Sequence, residues 1–87
     1  MHFSPGNIVR SRAGRDKGTV YYVLSVEQNR VLVADGHKRK VSNPKPKNPL
    51  HLEMVNAGET LVKTDAEIRH ILAGMTESPQ REDKGGK

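Results

Sequence analysis

The sequence contains no cysteine and no tryptophan, and phenylalanine and tyrosine together make up only 3% of its 87 residues. Without cysteine, the chain has no disulfide, no thiolate metal ligand and no thiol nucleophile. Small secreted domains usually depend on disulfides, so this absence favours a reducing compartment. Because only 33% of the residues are hydrophobic, we expect a single domain with a thin core of Val, Leu and Ile.

Long apolar runs are also missing. No stretch approaches the roughly 20 apolar residues that a membrane-spanning helix requires, so no membrane partner is expected. Residues 1–6 lack the apolar segment of a secretory signal peptide. These features predict a cytoplasmic protein.

Positive charge is in excess and is unevenly distributed. The net charge is +5, and residues 1–50 hold ten Lys and Arg against three acidic residues. Residues 51–87 hold five Lys and Arg against seven acidic residues. A basic first half favours a polyanionic partner. The alternative is a solvated, lysine-rich surface without a specific partner.

The pattern of apolar residues predicts a mostly β fold. Alternation of apolar and polar positions indicates five short strands, and Gln28-Asn29 and Asp35-Gly36 have the composition of tight turns. Three prolines within residues 44–49 predict an exposed basic loop, because proline is incompatible with a helix interior or a central strand. Such short strands with tight turns are typical of a small barrel. The predicted strands span residues 7–13, 19–27, 30–35, 37–41 and 50–55.

The C-terminal third predicts one helix. Thr64 and Glu67 have the spacing of a capping box, apolar residues follow at helical intervals, and Gly74 is a plausible stop. The last residues have the composition of a disordered segment. The expected organisation is a five-stranded barrel over residues 1–56, a turn and short helix packed on it over 57–75, and a disordered tail over 76–87.

Sequence patterns for catalysis are weak. Residues 14–19, GRDKGT, superficially resemble a nucleotide-binding loop, but in that loop Lys follows the second glycine and opens a helix, whereas here Lys precedes glycine. The four histidines lie in different predicted elements without a partner at recognisable spacing. We therefore expect no enzymatic activity, no metal site and no cofactor.

Cations on the predicted strands and loops favour nucleic-acid binding. Because aromatic residues are scarce, we expect recognition of the backbone and shape of folded RNA. Tyr21 and Tyr22 should face opposite sides of a strand, and the exposed ring would either stack on a base or cover the barrel end. Gly14, Gly18 and Gly36 are expected to shape the turns. The candidate RNA-binding residues are Arg10, Arg12, Arg15, Lys17, Lys38, Arg39, Lys40, Lys45 and Lys47.

Residues 6–24, GNIVRSRAGRDKGTVYYVL, resemble the KOW motif, with Gly18 at the position of its characteristic glycine. The segments NRVLVADG, KRKV and NPLHL extend the match to about residue 55. The chain is similar to KOW-domain RNA-binding proteins related to the archaeal and eukaryotic large-subunit ribosomal proteins fourteen, six and twenty-seven. This resemblance implies an SH3-like barrel that binds ribosomal or other structured RNA. It assigns RNA contacts to Arg12, Arg15, Lys17, Gly18 and the basic triplet at residues 38–40.

The resemblance leaves two kinds of partner open. One is RNA, within the ribosome or bound by a compact accessory protein, because the chain lacks the long basic extension of the larger ribosomal members. The other is a protein, since KOW modules also occur in transcription elongation factors. A protein-interaction module would contact RNA polymerase or a ribosomal protein through the helix over residues 64–75 or through an edge strand of the barrel. In either case the free chain is expected to be a monomer.

Overall fold

Five antiparallel strands pair into one sheet in the computed structural model, which describes residues 2–58 and 61–75. Their order in the sheet is β4-β3-β2-β1-β5. Within the described residues the two edge strands, β4 and β5, do not pair with each other, so the sheet is open. The predicted mostly β fold with five short strands is confirmed. The strands are β1 (Ile8–Ser11), β2 (Val20–Glu27), β3 (Arg30–Ala34), β4 (Lys45–Lys47) and β5 (Leu52–Asn56).

β2 is the central and longest strand. Glu27 pairs with Arg30 of β3, which confirms the tight turn predicted between them. The register of this pair shifts between Val23 and Ser25, so Leu24 is an extra residue in β2. A bulge of this kind increases the local twist of a sheet.

One face of the sheet carries an apolar cluster contributed by β1, β2, β3, β5 and the N-terminal segment. Val9, Val23 and Val33 are completely buried in it. Burying a valine side chain stabilises a fold by roughly 1.5–3 kcal/mol, so this thin cluster is a main source of stability. Its members are Phe3, Val9, Tyr21, Val23, Val31, Val33 and Leu52.

The opposite face of the sheet is covered by the helix α1 (Asp65–Met75). Ile68 and Leu72 lie four residues apart, and therefore on one side of the helix, and both are buried. The backbone N–H of Val62 donates a hydrogen bond to the Tyr22 hydroxyl at 3.1 Å, which ties the segment before the helix to β2. The cluster on this face consists of Ile8, Val20, Tyr22, Ala34, Ile68 and Leu72.

α1 begins at the predicted capping box. The Thr64 hydroxyl accepts a hydrogen bond from the Glu67 N–H at 3.2 Å, and the Glu67 carboxylate accepts one from the Thr64 N–H at 3.3 Å. The backbone N–H of Lys63, followed by the Thr64 hydroxyl, lowers the pKa of Glu67. The helix continues one residue beyond Gly74, the predicted stop.

The fourth strand lies outside the segment predicted for it. Residues 37–41 were expected to form a strand, but they form bends and a turn. The Asp35 carboxylate accepts hydrogen bonds from the backbone N–H groups of His37 at 2.8 Å and Arg39 at 3.0 Å, which removes these groups from any strand ladder. β4 forms instead within the proline-rich segment, where a loop was predicted. Pro46 is tolerated there because β4 is an edge strand.

Two further predictions concern the ends of the chain and the membrane. The predicted disordered tail, residues 76–87, lies outside the described residues. In the part of the chain that the structure describes, no helix combines the length and apolar character needed to cross a lipid bilayer.

Candidate nucleic-acid interface

Residues 12–19 connect β1 to β2 and form the first loop. Its base is closed by two backbone hydrogen bonds, from the Ser11 N–H to the Thr19 carbonyl at 2.9 Å and from the Gly18 N–H to the Ser11 carbonyl at 2.8 Å. Gly14 and Gly18 have φ angles of 87° and 94°. Residues with a Cβ rarely adopt these values, so the two glycines permit a turn that other residues would strain.

Asp16 is the residue through which the sheet holds this loop. Its side chain is only 13% exposed, whereas its neighbours Arg15 and Lys17 are exposed. Its Oδ2 accepts a hydrogen bond from the Tyr21 hydroxyl at 2.6 Å and lies 3.1 Å from the Lys45 ammonium. The inward acid thus fixes the loop on which the two outward cations are carried.

The second carboxylate oxygen of Asp16 binds Ser11 and Lys47. Oδ1 accepts hydrogen bonds from the Ser11 hydroxyl at 2.8 Å and from the Lys47 ammonium at 3.1 Å, and this ammonium also donates to Ser11 Oγ at 3.2 Å. Lys47 pairs with Val31, a member of the buried cluster, and directly paired residues share a face of a sheet. The prediction that Lys47 is exposed for RNA binding is therefore wrong, because its side chain is turned inward and is only 8% exposed.

These hydrogen bonds determine whether Asp16 and Tyr21 are charged. Burial alone would raise the pKa of Asp16, but the bonds from Tyr21, Ser11 and the two lysines outweigh it and hold that pKa well below its usual range. Burial and the hydrogen bond to Asp16 both raise the pKa of the Tyr21 phenol. Asp16 is therefore ionised and Tyr21 neutral throughout the physiological pH range.

Residues 35–40 form a second loop, which α1 holds in place. Gly36 has a φ of 80°, and its carbonyl accepts a hydrogen bond from the Arg69 guanidinium at 2.6 Å. Immediately after the loop, the Val41 N–H donates to the Asp65 carboxylate at 2.8 Å. The helix therefore contacts this basic loop near both of its ends.

A cleft of about 310 Å³ opens between the two loops, and we call it the basic cleft. It brings together four candidates that are far apart in the sequence: Arg15 from the first loop, Lys38 and Arg39 from the second, and Lys45 from β4. The other lining residues are Asp16, Thr19, Tyr21 and Asp35.

The basic cleft has an excess of positive charge. Its lining combines four cations with two carboxylates. Among the described residues, the ion pairs join Asp16 to Lys45 and Lys47, and Arg10 to Glu53. The cations of the cleft other than Lys45 take no part in these pairs, so they are available to an anionic ligand.

The remaining candidates lie outside the basic cleft. Arg10 is paired in register with Glu53 across β1 and β5, and its guanidinium contacts the Glu53 carboxylate at 2.8 Å. Arg12 is exposed just beyond β1, where its N–H donates to the His51 carbonyl at 2.7 Å, in the short 3₁₀ helix Pro49–His51. The other exposed candidates outside the lining are Lys17 and Lys40.

Tyr21 and Tyr22 face opposite sides of β2, since they belong to the two different apolar clusters. Both rings are nevertheless buried, with 3% and 2% of their surface exposed. The expectation that one of them is exposed is wrong, because each ring is packed into one of the two buried clusters. Neither ring is free to stack on a base.

Asp16 is the site residue that sequence reasoning missed. A single acid within a strongly basic run, flanked by two exposed cations, was the available signal. Its partners Lys45 and Lys47 lie 29 and 31 residues away in the sequence, so only the folded chain shows which cations it neutralises.

Among the described residues, no group of three or more His, Asp or Glu side chains is placed to hold a metal ion. In comparisons with known proteins, no protein-family model and no curated protein sequence matches this chain. Support for a function therefore comes from the geometry of the two loops and the basic cleft.

Proposed function

We propose that this chain binds structured RNA, without catalysis, through the basic cleft. The observation that carries the proposal is the convergence of Arg15, Lys38 and Arg39 on one cleft, outside the ion pairs of the described residues. Guanidinium groups bind phosphate oxygens bidentately, and a lysine ammonium adds a mobile point charge. Hydrogen bonds hold both loops in place, so these side chains need little further ordering of the backbone when RNA binds. Phosphate contacts therefore supply most of the affinity.

The domain is further proposed to be an SH3-like barrel of the KOW type, acting as a cytoplasmic, ribosome-associated protein with ribosomal RNA as its partner. Support comes from the KOW-like sequence of residues 6–24 and from the five short antiparallel strands, of which the last returns to pair with the first. The positive φ angles of Gly14 and Gly18 agree with a glycine-shaped loop that presents cations.

Salt dependence tests RNA binding directly. Fluorescence anisotropy with a labelled ribosomal RNA hairpin is measured between about 50 and 200 mM salt, where each neutralised phosphate contributes a slope of roughly 0.7–0.9 in a plot of log affinity against log salt. Removing two phosphate contacts with Arg15→Ala and Lys38→Ala together should weaken RNA binding and make the slope less steep by about 1.4–1.8.

Arg30→Ala is the matched control for the double variant. Arg30 is exposed at the turn between β2 and β3 and is not among the residues that line the basic cleft. The control should bind RNA as the wild type does. Affinity that is independent of salt, or a double variant that binds like Arg30→Ala, would contradict the proposal.

A protein partner contacting α1 is the second candidate. Val62, Ala66 and Ile71 line a largely apolar cavity of about 330 Å³ beside the helix, and a partner helix could pack there. Recovery of the same partner protein after nuclease treatment and at high salt would favour this function. Loss of every partner on nuclease treatment would favour RNA.

A further inference from the structure

Another cavity, distinct from the one beside Val62 and Ile71, adjoins the basic cleft on the side of α1. We call it the helix-side cavity. It has a volume of about 340 Å³, and Thr19 and Asp35 line both it and the basic cleft. The two cavities therefore adjoin, and a ligand that spans Thr19 and Asp35 would contact both parts of this groove. On the helix side, the lining is completed by residues of both loops, of β2 and of α1.

The chemistry of the helix-side cavity differs from that of the basic cleft. Val20, Leu72 and Ala73 give it apolar surface, and Arg69 and His37 add two planar, nitrogen-containing side chains. The Arg69 guanidinium donates to the Gly36 carbonyl at 2.6 Å, which restrains the orientation of its plane. A restrained guanidinium next to apolar surface is suited to a flat heteroaromatic ring.

We propose that the helix-side cavity holds one unstacked nucleobase of an RNA whose adjacent phosphate lies in the basic cleft, an inference that rests on the proposed function. Proteins that recognise RNA sequence bind unpaired bases of loops and bulges by stacking them on aromatic rings or arginine planes. With Tyr21 and Tyr22 buried, the Arg69 plane and the His37 ring are the stacking surfaces that the helix-side cavity offers.

The size and charge of the groove agree with this assignment. The volume is near the lower end of small-molecule sites, which span about 300–1,000 Å³, so the cavity suits a single ring system and not a stretch of duplex. Asp35 stands where the two cavities meet. Its carboxylate repels a second phosphate, whereas it can accept a hydrogen bond from a base amino group. The expected ligand is therefore a structured RNA with a single extruded nucleotide.

Two RNA hairpins that differ by one bulged nucleotide test the inference by fluorescence anisotropy. The wild-type protein should bind the bulged hairpin about tenfold more tightly, within the range that one stacked base contributes. Ala73→Leu places a larger side chain in the helix-side cavity and should reduce this preference to less than about twofold. Arg69→Lys, which keeps the charge and loses the plane, should also reduce it.

Ala66→Leu is the matched control, since Ala66 is also exposed on α1 but lines the other apolar cavity. It should keep the full preference, and thermal unfolding should show that all variants are folded. Equal binding of both hairpins by the wild type, or an undiminished preference in Ala73→Leu, overturns the nucleobase site while salt-dependent binding leaves the basic cleft in place. Failure to bind either hairpin overturns both proposals.

Discussion

Replacing Asp16 by asparagine is expected to be the most damaging conservative change in the first loop. The carboxylate receives four hydrogen bonds, two at each oxygen, from Ser11, Tyr21, Lys45 and Lys47. An asparagine amide keeps one of the two acceptor oxygens and puts a donor in place of the other. Asp16→Asn therefore removes the acceptor oxygen that two of these donors share and the negative charge that both lysines face.

The magnitude follows from burial. The side chains of Asp16 and Lys47 are 13% and 8% exposed, so removing one partner leaves an uncompensated charge in the interior, a loss that typically costs about 3–5 kcal/mol. Lys45 is 30% exposed, so water recovers much of its interaction and we expect the lower figure, about 3 kcal/mol. A domain of this length has a total stability of roughly 4–13 kcal/mol, so the loss is a large share.

Urea denaturation followed by circular dichroism near neutral pH measures this loss. Glu53→Gln is the control, since it also changes a paired carboxylate to an amide, but in an Arg10–Glu53 pair with side chains 42% and 45% exposed. Such a surface pair contributes only about 0–1 kcal/mol. Adding Lys47→Met to Asp16→Asn removes the stranded ammonium and should recover part of the lost stability. An Asp16→Asn variant within about 0.5 kcal/mol of the control would show that the Asp16 network contributes no more than a surface ion pair.

Three further predictions concern the glycine turn, the helix cap and acid stability. A Cβ at Gly36 would lie 2.6 Å from a backbone oxygen of α1, whereas a Cβ at Gly18 would meet nothing within 4 Å. Gly36→Ala should therefore lose about 1–3 kcal/mol more stability than Gly18→Ala in the same denaturation assay. Equal losses would show that α1 shifts to accommodate the added methyl group. Thr64→Ala should lose about 1 kcal/mol, and Thr64→Ser, which keeps the capping hydroxyl, should lose less; equal losses would exclude the cap as the cause. The folded-state pKa of Asp16 is lowered, so the stability that ionised Asp16 contributes is complete above the ordinary aspartate pKa of about 3.9 and is lost as the pH falls below it. The wild type should therefore lose more stability on acidification than Asp16→Asn. Parallel losses would show that the Asp16 network does not stabilise the fold.

The helix and four of the five strands were predictable because local patterns determine them. β1, β2 and β3 follow the alternation of apolar residues, and the capping box at Thr64 marks the start of α1. The fourth strand was misplaced because the Asp35 carboxylate, bonded to two backbone N–H groups, turns residues 37–41 into a loop. A side chain that competes with the strand ladder in this way is invisible to apolar periodicity.

The types of residue in the candidate site were predictable, but which of the cations remain free to contact a ligand was not. The sequence identified Arg15 on a predicted loop and Lys38 on a predicted strand as candidate RNA contacts, and the structure places both in the lining of the basic cleft. It also assigned Lys47 to RNA, although β4 turns this side chain toward Asp16. Which cations are neutralised internally depends on contacts between residues distant in sequence, and composition does not contain that information.

The basic cleft is the surface that we propose contacts RNA. Titrating a structured ribosomal RNA hairpin into isotope-labelled protein, with the backbone amide signals followed by NMR, locates that surface directly. We expect the largest shifts at Arg15, Thr19, Lys38 and Arg39, and we expect these shifts to diminish at high salt. Shifts concentrated at the outer side of α1, around Ala66 and His70, with the two loops unchanged, would show that RNA does not contact the basic cleft.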